Sequence, residues 1–239
     1  MGTGVRRSEA VALLAQAPLL AGVNTRRWLA ASGLIGLLAL AVYFVAPALA
    51  GWPFGGGSSS AIAAYASSHE ALFLAGAWLQ VTGTMLIVIF FTGLVATARA
   101  TTRLSGLVVI IASTSLLSLV LVEALLTVFV PIAAGGGDRE AASLAFGLVN
   151  GTFARIFPLA PASFSYLGLG WVVLETGVLD RRLGYAALGL GAAFELAGLI
   201  AIASPTGVIF ATVLSVFQVL WVAAAAIAYA VRPSPAAAA

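Results

Sequence analysis

The sequence predicts an all-α fold: a polytopic transmembrane helix bundle of six spans with one further re-entrant or interfacial helix. Two observations of composition carry this. Hydrophobic residues make up 62% of the 239 positions and charged residues only 8%, far outside the range of soluble globular chains. The eleven cationic residues are all arginines, and most sit between apolar runs rather than within them, the pattern of topology signals and not of a nucleic-acid footprint.

The run Leu104 to Val130 is the clearest span. It holds seventeen Leu, Ile, Val and Phe residues, which at about −0.3 to −0.6 kcal/mol each contribute roughly −5 to −10 kcal/mol to insertion. Glu123 inside it costs on the order of +2.5 to +3.5 kcal/mol, so the segment enters the bilayer with the acid in place. The acid must then find a partner or a proton.

Taken in order, residues 1–25 form a cytoplasmic N-terminal segment whose Ala/Leu-rich stretch is too short and interrupted to span, and a frayed or interfacial helix is expected there. Thr25-Arg26-Arg27-Trp28-Leu29 has a loose likeness to a twin-arginine signal, but the apolar run Trp28 to Val45 exceeds the usual signal core of about 7 to 15 residues. An uncleaved first span over about 28–50 is therefore expected. Gly51 to Ser60 reads as a flexible loop and leads through His69 and Glu70 into span two, 71–97, closed by Arg99 and Arg103. Span three covers 104–131 and ends at Pro131; the turn that follows, Gly135-Gly136-Gly137-Asp138-Arg139-Glu140, is polar.

Residues 141–177 exceed one ordinary span and are interrupted by Pro158 and Pro161. Two complete spans here would put Arg181 and Arg182 on the outer side, so 141–157 is read as a lead helix, interfacial or re-entrant, and 162–178 as span four. Span five covers 184–203, Ser204-Pro205-Thr206-Gly207 makes a turn, span six covers 208–231, and 233–239 is a disordered tail. Residues 26–232 thus form a single transmembrane domain with no internal repeat. Nine arginines fall on one face and only Arg139 and Arg155 on the other, which predicts both termini cytoplasmic; high Ala and Arg without Lys points to a GC-rich bacterial genome, so the bacterial cytoplasmic membrane is the expected location.

The absence of Cys and the single His exclude disulfide frameworks, thiolate chemistry, Cys/His zinc sites and bis-His haem; the absence of Lys excludes a retinal Schiff base. No metal or cofactor is expected. Candidate site residues come instead from depth. Gln80, Glu123, Glu195 and Gln218 each fall in the outer half of a different span. Gly76, Gln80, Gly83 and Thr84 share one helical stripe, and Gly184, Gly191, Glu195 and Gly198 another, so small residues beside the polar ones allow close approach. Arg155, with Asn150 in the lead helix, is the natural cationic partner for Glu123 or Glu195, or else a headgroup anchor. Glu175 is expected to pair at the inner surface with Arg181 and Arg182. Glu70 reads as a helix-start acid favoured by the helix dipole, and Trp28, Trp52 and Trp78 as interface-belt residues.

Several segments resemble a known family: the Arg-rich start of span one, Ser68-His69-Glu70 with Gly76-Ala77-Trp78-Leu79-Gln80, and Leu169-Gly170-Trp171-Val172-Val173-Leu174-Glu175-Thr176-Gly177-Val178-Leu179 followed by Leu183-Gly184. The chain is similar over about residues 26–232 to the small bacterial membrane proteins grouped as domain of unknown function 4386. The resemblance implies a six-helix fold and assigns no activity and no site residue.

Three functional readings stay open. The first is a non-enzymatic protein that binds or passes a small hydrophobic or amphiphilic ligand in an outer-half polar pocket formed by Gln80, Glu123, Asn150, Arg155, Glu195 and Gln218. The second is an intramembrane lipid or terpenoid isomerase or cyclase with Glu123 or Glu195 as general acid, for which Phe129, Phe194 and Trp221 are the aromatic candidates. The third is a structural or regulatory partner of another membrane protein, or a homodimer, supported by the glycine stripes. The lipid bilayer is the one partner common to all three, and nucleic acid is a partner in none.

Overall fold

The computed structural model of the protein describes residues 4–53, 56–204 and 206–232, with side chains for 25–53, 56–204 and 209–232. The expected tail, 233–239, and Pro205 of the expected turn lie outside the described residues. Eight α-helices account for nearly all of them: α1 (Gly4–Leu49), α2 (Ser59–Ser68), α3 (Glu70–Thr97), α4 (Leu104–Gly135), α5 (Arg139–Gly151), α6 (Ser163–Thr176), α7 (Arg181–Ala203) and α8 (Thr206–Val231). Two π-helical turns, Thr152–Ile156 and Pro158–Ala162, join α5 to α6.

Six helical stretches are long and apolar enough to cross a membrane: Thr25–Leu49, Glu70–Thr97, Leu104–Gly135, Arg139–Thr176, Arg181–Ala203 and Ile209–Val231. They close into a ring. α1 packs on α3, α3 on α4, α4 on α5 and α6, α6 on α7, α7 on α8, and α8 back on α1.

Backbone contact at glycine sets the spacing of two of these pairs. A Cβ on Gly36 would stand 2.7 Å from the Gly83 carbonyl oxygen, and one on Gly83 would stand 2.9 Å from that of Gly36. The α1–α3 crossing therefore tolerates nothing larger at either residue. Two turns outward along each helix, Gly76 lies under the Tyr43 ring. On α7, Gly184, Gly191 and Gly198 recur every seven residues and receive Leu174, Leu167 and Leu159 in turn. The glycine stripes of the sequence are thus used within the chain, as small residues are in membrane helix packing generally.

The lead helix is α5, and it is continuous with span four. Pro158 and Pro161 lack an N–H and obstruct the preceding turn, so the chain widens into π turns there rather than ending the helix. The hydroxyl of Ser163 donates to the carbonyls of Leu159 and Ala160, and that of Ser165 donates to Pro161 at 2.6 Å. The backbone of Leu159 rests on Gly198, where a Cβ would come within 2.6 Å. α5 itself continues along the outer half of α4.

Two other boundaries differ from expectation. Pro131 does not end span three; α4 carries it inside the helix and runs on to Gly135. Proline removes one donor, which a membrane helix accommodates when neighbouring groups cover the freed carbonyl. The stretch between the flexible loop and span two, to which the sequence reading gave no element, is the separate helix α2. It takes up the last two residues of that loop and is capped by the Ser58 hydroxyl, which accepts from the Ala61 N–H at 3.3 Å. Its buried face, Ile62, Ala63 and Ala66, lies on α4 and α5.

The buried apolar side chains fall into two groups. The larger fills the arginine-bearing half of the bundle around Phe90, Phe91, Tyr166, Leu169, Phe194 and Trp221. The smaller, Ile62, Ala66, Phe73, Val130, Ala145 and Phe146, closes the other end under α2. Glycine geometry makes a direct forecast. Gly83→Val should lower stability by about 1–3 kcal/mol through overpacking, whereas Gly147→Ala, which meets nothing within 4 Å, should raise it by up to about 1 kcal/mol. Denaturant titration in detergent, followed by circular dichroism, reads both.

Candidate functional site

The two apolar groups are separated by a tier of buried polar side chains: Gln80, Thr84, Glu123 and Thr127 are each at most 4% exposed. From the outer helix ends, the 1.5 Å rise per residue places Gln80 about 15 Å deep, Glu123 about 18 Å, Glu195 about 12 Å and Gln218 about 18 Å. Of the four residues singled out by depth, Gln80 and Glu123 lie in this tier.

Within it, α3 and α4 bring Gln80 and Glu123 together, and α1 adds Tyr43, so that a phenol and an amide stand beside the Glu123 carboxyl. Tyr43 reaches the acid because Gly76 leaves room beside its ring. Thr127 donates to the Glu123 backbone carbonyl at 2.8 Å. Sequence reading missed Tyr43. The available signal was a phenol inside an otherwise apolar span, since a buried tyrosine hydroxyl usually needs a partner.

One acceptor in this cluster is unmet. The Gln80 side-chain oxygen is buried and has no hydrogen-bond partner, and the same holds for the Gln218 amide oxygen and one carboxyl oxygen of Glu195. A buried unpaired acceptor costs about 1–3 kcal/mol, so these atoms mark where a donor belongs.

The remaining candidates stand apart from Glu123. Asn150 accepts a hydrogen bond from the Trp52 indole N–H at 3.3 Å. Arg155 does not pair with either acid. It is exposed, and its guanidinium donates to the Ala201 carbonyl at 3.4 Å, near the outer end of α7. Arg155 stands in the first π turn, level with the outer end of α7 at Ala201. Glu195 is half-buried on α7 and Gln218 half-buried on α8. Among the described residues, no three His, Cys, Asp or Glu side chains group closely enough to hold a metal ion.

Trp52 is not a belt residue. Its ring packs on Phe73 and Phe146 with centroids 5.0 and 4.9 Å away, and it meets Tyr65 edge-on. Trp28 and Trp78 are 70% and 66% exposed, as belt residues are. His69 stacks on Tyr65 and accepts from or donates to the Ser68 hydroxyl at 2.9 Å, while Glu70 is exposed in the first turn of α3. Phe194 and Trp221 belong to the larger core and pack around Tyr166, and Phe129 is 44% exposed on α4.

At the opposite end, arginines stitch helix termini. Arg103 donates to one oxygen of Glu175 at 2.9 Å and Ser105 to the other at 2.7 Å. Glu175 therefore pairs with the start of α4 and not with Arg181 or Arg182, because α4 is the antiparallel neighbour of α6 at this level. Arg232 donates to the Gly177 carbonyl, and Arg26 donates to the Arg232 carbonyl at 3.3 Å with its guanidinium 5.8 Å from the Tyr229 ring centroid.

No protein-family model, curated protein or solved structure matches the chain.

The outer closure depends on one indole. Trp52→Ala should cost about 3–5 kcal/mol through lost packing, and Trp52→Phe about 0.5–1.5 kcal/mol through the lost bond to Asn150. Hydrogen exchange at the amides of 59–68 should speed up in the first variant far more than in the second.

Proposed function

We propose that the protein binds a small hydrophobic or amphiphilic molecule at the Tyr43–Gln80–Glu123 cluster, and that it does so without chemical turnover. The observation that carries this reading is the buried, unpartnered Gln80 amide oxygen in the tier that also holds the buried Glu123 carboxyl. An amide oxygen only accepts. The fitting ligand therefore presents a hydroxyl or ammonium group on an apolar body, the body lying among the surrounding spans. The separation of Phe194 and Trp221 from Glu123, in a core where rings pack directly on one another, favours binding over cation-stabilising cyclisation chemistry.

The same reading places the chain in the bacterial cytoplasmic membrane with both termini cytoplasmic. Arg26, Arg27, Arg99, Arg103, Arg181, Arg182 and Arg232 gather at one end, with Arg139 and Arg155 toward the other, in keeping with the bias of cytoplasmic loops. Membership of the domain of unknown function 4386 group is part of the proposal and rests on the segments quoted above.

Native mass spectrometry in mild detergent with a long-chain alcohol and its methyl ether provides the test. The alcohol should bind about three- to tenfold more tightly than the ether, the worth of one hydrogen bond. Gln80→Leu should remove the difference while the protein stays folded. Equal binding of alcohol and ether by the unaltered chain, or an undiminished preference in Gln80→Leu, overturns the assignment.

A further inference from the structure

The membrane-facing surface of α7 is flanked by two open apolar grooves. The first, of about 350 Å³, lies between α4, α6 and α7 and is walled by Val108, Phe164, Trp171 and Leu188 over a floor at Gly168. The second, of about 450 Å³, lies between α7 and α8 and is walled by Ala193, Leu214, Phe217 and Leu220 beside Gly189. A glycine lines each groove. At Gly168 the backbone of α6 lies against Val109, and at Gly189 nothing at all stands within 4 Å.

Both grooves lead along α7 to the arginine end, and helical spacing assigns one arginine to each. Arg181, Tyr185 and Leu188 follow the i, i+4, i+7 rule, so Arg181 heads the face that walls the first groove. Arg182, Ala186, Gly189 and Ala193 follow i, i+4, i+7, i+11, so Arg182 heads the face that floors the second. Both arginines are exposed, and among the described residues neither guanidinium is engaged by a carboxylate: Glu175 is taken by Arg103 and Ser105, and the Asp180 side chain caps α7 by accepting from the Arg182 backbone N–H at 2.8 Å. Trp171 and Tyr185 stand half-exposed and exposed within about two turns of that end, where amphipathic rings favour the headgroup level.

An apolar trench that ends at an exposed cation at the membrane surface is complementary to a molecule with a long hydrocarbon chain and an anionic head. We infer that two anionic phospholipids of the leaflet at the arginine end straddle α7, one acyl chain in each groove, with the phosphates beside Arg181 and Arg182. The sites are distinct from the Tyr43–Gln80–Glu123 cluster, since no residue of either groove contributes to it.

The test uses the full chain released into mild detergent and titrated with synthetic phosphatidylglycerol or phosphatidylcholine of identical acyl chains, with bound lipid counted by native mass spectrometry. Two phosphatidylglycerol molecules should be retained preferentially over phosphatidylcholine. Arg181→Gln and Arg182→Gln should each weaken one of the two by about fivefold, the worth of one cation near an anionic head. Arg27→Gln, also exposed at the same end but on α1, should leave both in place. Val108→Trp, which fills only the first groove, should remove one lipid and spare the other. Equal retention of the two lipids, an effect of Arg27→Gln as large as that of the α7 arginines, or an unchanged count in Val108→Trp each overturns the inference.

Discussion

Hydrocarbon offers no hydrogen bonds, so any polar group carried into the bilayer must be answered from within the protein. That constraint explains why the backbone is helical almost throughout the described residues, and why serine and threonine hydroxyls so often donate to carbonyls three or four residues back, as Thr92, Thr97, Thr114, Ser118 and Ser215 do. It also explains why Glu123 is surrounded as it is. A carboxyl at that depth needs polar company from neighbouring helices, and Tyr43 and Gln80 stand beside it on two of them. Where the accounting stays open, at the Gln80 oxygen, the imbalance itself is informative.

Bringing three helices close enough for those groups to meet is the task of the glycines. With Gly36 and Gly83 in backbone contact, α1 and α3 lie close together, and Tyr43 spans the remaining gap over Gly76. The α6–α7 pair repeats the device with Gly184, Gly191 and Gly198, where it also accommodates the widened turns made by Pro158 and Pro161. Polar tier and glycine stripes are therefore one arrangement. The small residues determine which polar side chains can touch.

The six spans and the inward stripes were legible in the sequence because hydrophobic length and 3.6-residue periodicity are properties of each segment alone. Gln80 and Glu123 could be singled out for the same reason. What the sequence did not disclose were matters between segments. Nothing in the segment around Glu175 says that Arg103, seventy-two residues earlier, is nearer than Arg181, for that depends on α4 and α6 being neighbours. Trp52 reads as a belt residue until α2, α3 and α5 close around it. Arg155 reads as a partner for an acid until the fold sets it level with the outer end of α7, and two prolines that usually end a helix instead widened it because α7 offers Gly198 as a seat.

The spans are unequal in height. α4 has 32 residues and α7 has 23, about 48 and 35 Å at 1.5 Å per residue, against roughly 30 Å of hydrocarbon. Since the Arg103–Glu175 pair holds α4 level with its neighbour at the arginine end, the surplus stands at the other end, where α2 and α5 lean on it. The bundle is accordingly a wedge, and hydrophobic mismatch differs around its circumference. On the α4–α5 side the bilayer meets a wall topped by Asp138, Arg139 and Glu140; on the α7–α8 side it meets a low rim.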